Sequence, residues 1–179
     1  MNLLRGKKVR LRALEPEDVE FLYSIENDTA MWDVGCTSTP YSRFALNSYV
    51  MGNTADIFAD KQMRLMIESL EGVAVGLIDL FHFDPKNQRA EIGIAVAAKY
   101  RNQGYAGEAI SLIQKYCKKV AHLHQLYAWV DAENLQSISM FRKAGFDECA
   151  TLKEWLYDGQ NYRDAVLLNF FLKKADFIL

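Results

Sequence analysis

Apolar and polar residues alternate from Lys8 to Leu14, and this two-residue period predicts a first strand. Glu15-Pro16-Glu17-Asp18 then opens a helix, with proline near the first turn and acidic groups at the positive end of the helix dipole. Val19, Leu22, Tyr23 and Ile25 follow roughly at helical spacing, and a second helix is expected over Tyr41 to Met51. Strands are expected over Arg64–Glu68 and Val73–Phe83, joined by the turn Ser69-Leu70-Glu71-Gly72. Asp84-Pro85-Lys86-Asn87 turns the chain into a strand from Arg89 to Val96. A long helix from about Gly104 to Val120 shows Ala106, Ile110, Ile113, Cys117 and Val120 on one stripe. A strand over Leu126–Val130, a helix over Leu135–Ala144 and strands near Leu152–Tyr157 and Ala165–Leu172 complete the order β-α-α-β-β-β-α-β-α-β-β. The strand–helix–strand unit in the middle implies a parallel pair with a crossover connection. The apolar tail Val166-Leu167-Leu168 and Phe170-Phe171-Leu172 suits either burial within the sheet or the contact of a homodimer.

No repeat, low-complexity run or Pro/Gly/Ser linker interrupts this order, so residues 1–179 are read as one domain. Half of the residues are apolar (50%) and 25% are charged, which excludes disordered and fibrous classes. A net charge of −2 argues against a nucleic-acid surface, and no apolar run approaches the roughly 18 residues a membrane span needs. The opening residues lack the apolar region of a signal peptide, and a cytoplasmic location is expected. Cys36, Cys117 and Cys149 form no CxxC pair, and His82, His122 and His124 form no helical ligand pair, so no metal is assigned.

Chemistry concentrates between the strand ending at Val96 and the long helix. A short polar loop carries Arg101, and the helix opens among Gly104, Ala106 and Gly107. Helix N-termini leave N–H groups unpaired and partly positive, and small residues let an anion reach them. The segment therefore looks built for a diphosphate, although neither a Walker loop nor a Rossmann fingerprint is present. Asn134 suits a helix N-cap or a hydrogen bond to an amide, and Gly145 suits the left-handed position that ends a helix.

Arg101-Asn102-Gln103-Gly104-Tyr105-Ala106 resembles the acetyl-CoA signature [QR]-x-x-G-x-[GA] of the GNAT superfamily of N-acetyltransferases. Asn134-Leu135-Gln136-Ser137 with Phe141-Arg142-Lys143-Ala144-Gly145-Phe146 resembles the later motif of the same superfamily. The likeness is strongest to the branch of ribosomal-protein N-terminal and spermidine acetyltransferases, whose last hairpin resembles residues 158–164. The resemblance implies an α/β (α+β) fold, a mixed sheet of about seven strands with splayed central parallel strands and about four flanking helices. It implies acetyl-CoA as cosubstrate, with the diphosphate on Gln103, Gly104, Tyr105, Ala106 and Gly107 and the pantetheine along Ile94, Ala95 and Val96. Asn134 and Ser137 would meet the pantetheine arm, Arg101 and Lys143 the phosphates, and Phe141 would pack against the ligand or serve as a core aromatic.

The implied reaction is acetyl transfer to the primary amine of a small molecule, an amino acid or a peptide N-terminus. An amine of pKa near 10.4 costs roughly 4–5 kcal/mol to supply neutral at pH 7, whereas an α-amine near 8 costs only about 1–1.5 kcal/mol. A general base thus matters most for strongly basic amines. Alternation puts Glu91, Gly93 and Ala95 on the face opposite Ile92, Ile94 and Val96, leaving room beside the carboxylate. Glu91 is the candidate base, and an ordinary ion pair with Arg89 or Lys86 is the competing reading.

Phe141 stands where many relatives have a tyrosine that protonates the departing thiolate. Tyr100, Tyr105, Tyr127 or a water are possible substitutes, and a weakened acyl-CoA-binding sensor and a polyamine (spermidine-type) N-acetyltransferase are the alternative functions. Trp32, Asp33 and Tyr41 are candidates for the acceptor side, with a loop anchor and a helix cap as the plainer roles. Tyr162 and Asp164 have either cleft or turn roles. The resemblance implies more acid after Asp33 for a spermidine-acetylating member than Val34-Gly35-Cys36-Thr37-Ser38-Thr39 offers, which weighs against a polyamine.

Overall fold

The computed structural model describes residues 3–29 and 39–172. Seven strands form one sheet: β1 (Val9–Arg12), β2 (Met63–Ser69), β3 (Ala74–Asp84), β4 (Arg89–Val96), β5 (Gln125–Asp131), β6 (Asp147–Tyr157) and β7 (Tyr162–Phe171). Their order across the sheet is β1-β2-β3-β4-β5-β7-β6. Five α-helices lie among the described residues: α1 (Val19–Glu26), α2 (Arg43–Gly52), α3 (Ile57–Asp60), α4 (Tyr105–Lys119) and α5 (Leu135–Lys143).

The sheet is covered on both faces, and strand alternation decides which residues go where. Met66 and Leu77 face each other across β2 and β3 and pack with Leu22, Ile25, Leu46 and Val50 of α1 and α2. Leu65, Ile67, Ile78 and Ile92 point the other way, toward Ile57 of α3, Ile110 and Ile113 of α4 and Ile138 of α5. Burial of each such aliphatic side chain contributes roughly 1.5–3 kcal/mol, so Ile110, Leu112 and Ile113 hold α4 on the sheet more firmly than helix propensity does. The stripe expected on this helix holds through Cys117, but Val120 lies beyond the last turn and is exposed.

Local chemistry explains the element ends. Pro16 begins a 3-10 turn over Pro16–Asp18, and Asp18 accepts the Glu15 amide at 2.8 Å before α1 starts. Ser42 caps α2 through the Ala45 amide. Two departures from the expected pattern have physical reasons. α3 is a single turn capped by Asp56, too short to show a period. β6 begins at Asp147, well before Leu152, because it is an edge strand whose residues are almost all exposed and carry no alternation. β7 is paired on both sides, to β5 and β6; of its apolar run Val166, Leu168 and Leu172 are buried, while Phe171 is exposed.

Candidate active site

The two central strands share only a short parallel ladder, Arg89↔Gln125, Ala90↔Leu126 and Glu91↔Tyr127. Beyond it β4 pairs only with β3, through Ile92↔Leu80 to Val96↔Gly76, and β5 pairs only with β7. Among the described residues, no strand pairs with the β5-facing edge of β4 from residue 92 to residue 96, and the two strands part. A cleft of about 960 Å³ opens in this wedge.

One wall is the end of β4, Ile94, Ala95 and Val96, and the floor is the loop and first turn of α4 with Arg101, Gly104, Tyr105, Ala106 and Gly107. Asn134, Ser137 and Lys143 of α5 and its cap form the opposite wall. Eleven of the residues expected from sequence therefore converge on one cavity. Arg101 folds back so that Nε donates to the Val96 carbonyl at 3.1 Å, which sets the loop against the strand end. Gly104 is the N-cap of α4 at φ +82°, and Lys8 lies over it, donating from Nζ to the Gln103 carbonyl at 2.8 Å. Asn134 caps α5: its side-chain oxygen accepts the Ser137 amide at 3.1 Å.

Two expected residues are not on this wall. Phe141 is buried in the core, its ring edge-on to Phe146 at 5.1 Å, because it lies on the face of α5 that packs on the sheet. Gln103 turns its side-chain amide back to the Lys99 carbonyl at 3.2 Å. Asp131, Glu133 and Arg163, which no motif in the sequence marks for this role, also line the cleft. Arg163 Nη1 lies 3.0 Å from Asp131 Oδ2 and 3.7 Å from Glu133, so the last hairpin closes one end of the wedge. Its neighbours do other work: Tyr162 stacks with Tyr157, and Asp164 accepts Lys153 Nζ at 2.6 Å and the Glu154 amide at 3.0 Å. Tyr162 and Asp164 line no part of the cleft.

Glu91 sits at the last rung of the parallel ladder, where the wedge begins, about 10 Å along the strand from Ile94. It is not on the cleft wall and not an exposed ion pair. It is 9% exposed and its Oε2 is 2.9 Å from His82 Nδ1, while Arg89 goes to Asp84 at 3.3 Å. Burial raises the Glu91 carboxyl above its ordinary range, against the opposing pull of His82. Tyr127 stands opposite in register, its phenol raised by burial and by the negative charge of Glu91. His82 is brought there by an irregularity in the β3–β4 pairing after Phe81, and its backbone is left-handed at φ +48°. Nothing in the residue pattern of Val73–Phe83 marks this residue.

Tyr41 lies between α1 and α2, its backbone held by both ends of the Asn27 amide at 2.8 and 3.0 Å. Trp32 and Asp33 lie outside the described residues. Among the described residues no helix is long and apolar enough to cross a membrane, and no cluster of His, Cys, Asp and Glu has the make-up of a metal site.

Comparison with known proteins agrees with this geometry. The family profile described as an acetyltransferase (GNAT) domain matches residues 8–147. Spermidine N(1)-acetyltransferase of Escherichia coli strain K12 is 30% identical over 164 residues, covering 91% of this chain and 86% of that protein. The SPbeta prophage-derived N-acetyltransferase YokL of Bacillus subtilis strain 168 is 25% identical over 161 residues, 90% of this chain and 88% of that one. In fold, the chain resembles the spermidine N-acetyltransferase of Vibrio cholerae solved with CoA and spermine, with a TM-score of 0.84 at 23% identity, covering 93% of this chain and 97% of that one. The chain belongs to the GNAT acetyltransferase family and transfers the acetyl group of acetyl-CoA to an amine.

Proposed function

We propose that the acceptor is a strongly basic aliphatic amine of the polyamine kind, and that Glu91 is the base that deprotonates it. The observation that carries this reading is a buried carboxylate at the point where β4 and β5 part. A protein N-terminus near pKa 8 gains little from such a group, whereas a polyamine needs roughly 4–5 kcal/mol to present a neutral nitrogen at pH 7. The 30% identity to a spermidine acetyltransferase over 91% of the chain points the same way. The acid-poor stretch after Asp33 weighs the other way. Glu91 supplies acid at a different place, on the sheet itself.

Acetyl-CoA fits the wedge on its chemistry. The first-turn amides of α4 beside Gly104 and the ammonium of Lys8 suit a diphosphate, and Lys143 adds positive charge on the opposite wall. The unpartnered edge of residues 92–96 offers backbone donors and acceptors to the amides of a pantetheine arm. Glu91 then takes one proton from the acceptor ammonium, directly or through a water. The nitrogen attacks the thioester carbon, and its second proton ends on the departing thiolate. Coenzyme A thiolate is a good leaving group, so Phe141 in place of a tyrosine does not block this route.

The test is thiol release from acetyl-CoA with spermidine, spermine, putrescine and an alanine-ended peptide. Polyamines are expected to be turned over faster than the peptide, and a peptide preference would overturn the acceptor class. Glu91→Gln is expected to lower kcat with spermidine about 100-fold, with CoA affinity retained by calorimetry. With the raised Glu91 carboxyl as base, activity rises with pH as that carboxyl loses its proton. An unchanged rate in Glu91→Gln at every pH would refute the base.

A further inference from the structure

Each turnover of a charged amine releases one proton to solvent: R–NH3⁺ and acetyl-CoA give the amide, CoA–SH and H⁺. If Glu91 is the base, that proton lands on a carboxyl whose side chain is only 11% exposed. It must leave before the next cycle. That carboxyl meets His82, 2.9 Å away through Nδ1, with 72% of the histidine side chain exposed. One end of the imidazole therefore touches the buried acid and the other lies in water.

The backbone is arranged for this contact. Regular β3–β4 pairing stops at Phe81↔Glu91 and resumes only at Asp84↔Arg89, and His82 sits in that interruption at φ +48°. A regular strand would point successive side chains to opposite faces, which would send residue 82 away from the face that holds Phe81 and Glu91. A residue held left-handed at a bulge re-aims its side chain, and such features gather at functional sites. Tyr127 on β5 faces Glu91 in register, and the charged groups that act on Tyr127 besides Glu91 are Arg89 on β4 and Asp84 at the end of β3, which are paired with each other at 3.3 Å.

We propose that His82 is a proton relay that carries the proton taken up by Glu91 out to solvent. The proposal rests on Glu91 being the base. The protonated Glu91 gives its proton to the Nδ1 lone pair of a neutral ring that carries hydrogen on Nε2. The resulting imidazolium releases the Nε2 proton to water, and exchange with water resets the tautomer. No electrons are transferred, and the proton count matches the overall reaction. His82 touches no reacting atom and acts through Glu91.

Two variants test this beside Glu91→Gln, using the best amine of the acceptor panel and acetyl-CoA. His82→Gly suits the left-handed backbone and leaves space for a small base. It is expected to lower kcat about 10- to 100-fold with CoA affinity retained, and free imidazole is expected to restore most of the loss. His82→Asn places an amide near the position of Nδ1, so it holds Glu91 by a hydrogen bond but cannot relay a proton. It is expected to stay slow and to gain nothing from imidazole. A fast His82→Asn enzyme would reduce His82 to orienting Glu91, and a His82→Gly enzyme that is fast, or slow without rescue, would also overturn the relay. If Glu91→Gln is slow while His82→Gly is not, the relay fails alone and the base stands. If neither variant is slow, the base fails and the relay with it.

Discussion

Gly104 holds φ at +82°, and a Cβ built there would stand 3.0 Å from the Lys8 ammonium nitrogen. An L-residue in this left-handed conformation costs about 1 kcal/mol, and the added methyl would also displace Lys8 from the Gln103 carbonyl. Gly104→Ala is therefore expected to lower Tm by about 2–4 °C and to weaken CoA binding, read by thermal unfolding and calorimetry. The glycine was legible as part of a short motif because small residues at a helix start have a local meaning. The ammonium above it was not legible, since Lys8 and Gln103 are 95 residues apart in the chain. Phe141 shows the reverse: its motif position suits a ligand contact or a core aromatic, and the buried face of α5 decides for the core.

At the scale of elements, α4 is tied to the start of β1 by one carboxylate. Glu108, in the first turn of α4, accepts the backbone N–H groups of Lys7 at 2.9 Å, Lys8 at 2.7 Å and Val9 at 2.9 Å. Burial opposes its charge, but these three amides and the charge of Lys8 outweigh that, and the carboxyl titrates below its ordinary range. A lowered folded-state pKa contributes stability that is full above about pH 4.3, the unfolded value, and is lost as pH falls through the folded one. Glu108→Ala is expected to cost about 1–2 kcal/mol at pH 7 and to flatten the acid limb of the stability–pH curve below about pH 4.5, followed by urea unfolding. The helix itself was plain from its apolar stripe, and the strands on either side of it from alternation. Their docking partner was not, because a glutamate in a first turn reads equally as a dipole contact.

For the molecule as a whole, the wedge needs both of its halves held while they stay apart. Arg163 on β7 meets Asp131 at the end of β5, Glu133 beyond it and Asp158 in the β6–β7 turn, at 3.0, 3.7 and 3.4 Å. The Asp131 side chain is only 10% exposed, so removing the guanidinium leaves a largely buried carboxylate without that cation. Arg163→Met is expected to cost about 2 kcal/mol and to lower Tm by about 4–8 °C in a thermal scan. It is also expected to change CoA affinity, because Arg163 lines the cleft. An arginine on a final hairpin carries no mark of this role in the sequence; only the crossing of β7 beside β5 gives it one.

Apart from the single turn α3 and the exposed edge strand β6, the helices and strands of this protein follow from periods of two and 3.6 residues, which depend on near neighbours and so survive in the linear order. The same holds for the glycine-rich helix start and for the asparagine cap, whose hydrogen bonds close within a few residues. Where β4 and β5 separate is of another kind. It depends on how far a parallel ladder runs before β5 commits to β7, a choice between strands distant in the chain. The meeting of His82 with Glu91 likewise requires a break in strand pairing that no residue pattern announces. Local periodicity set most of the elements, and long-range pairing alone made the opening and placed a buried acid at its root.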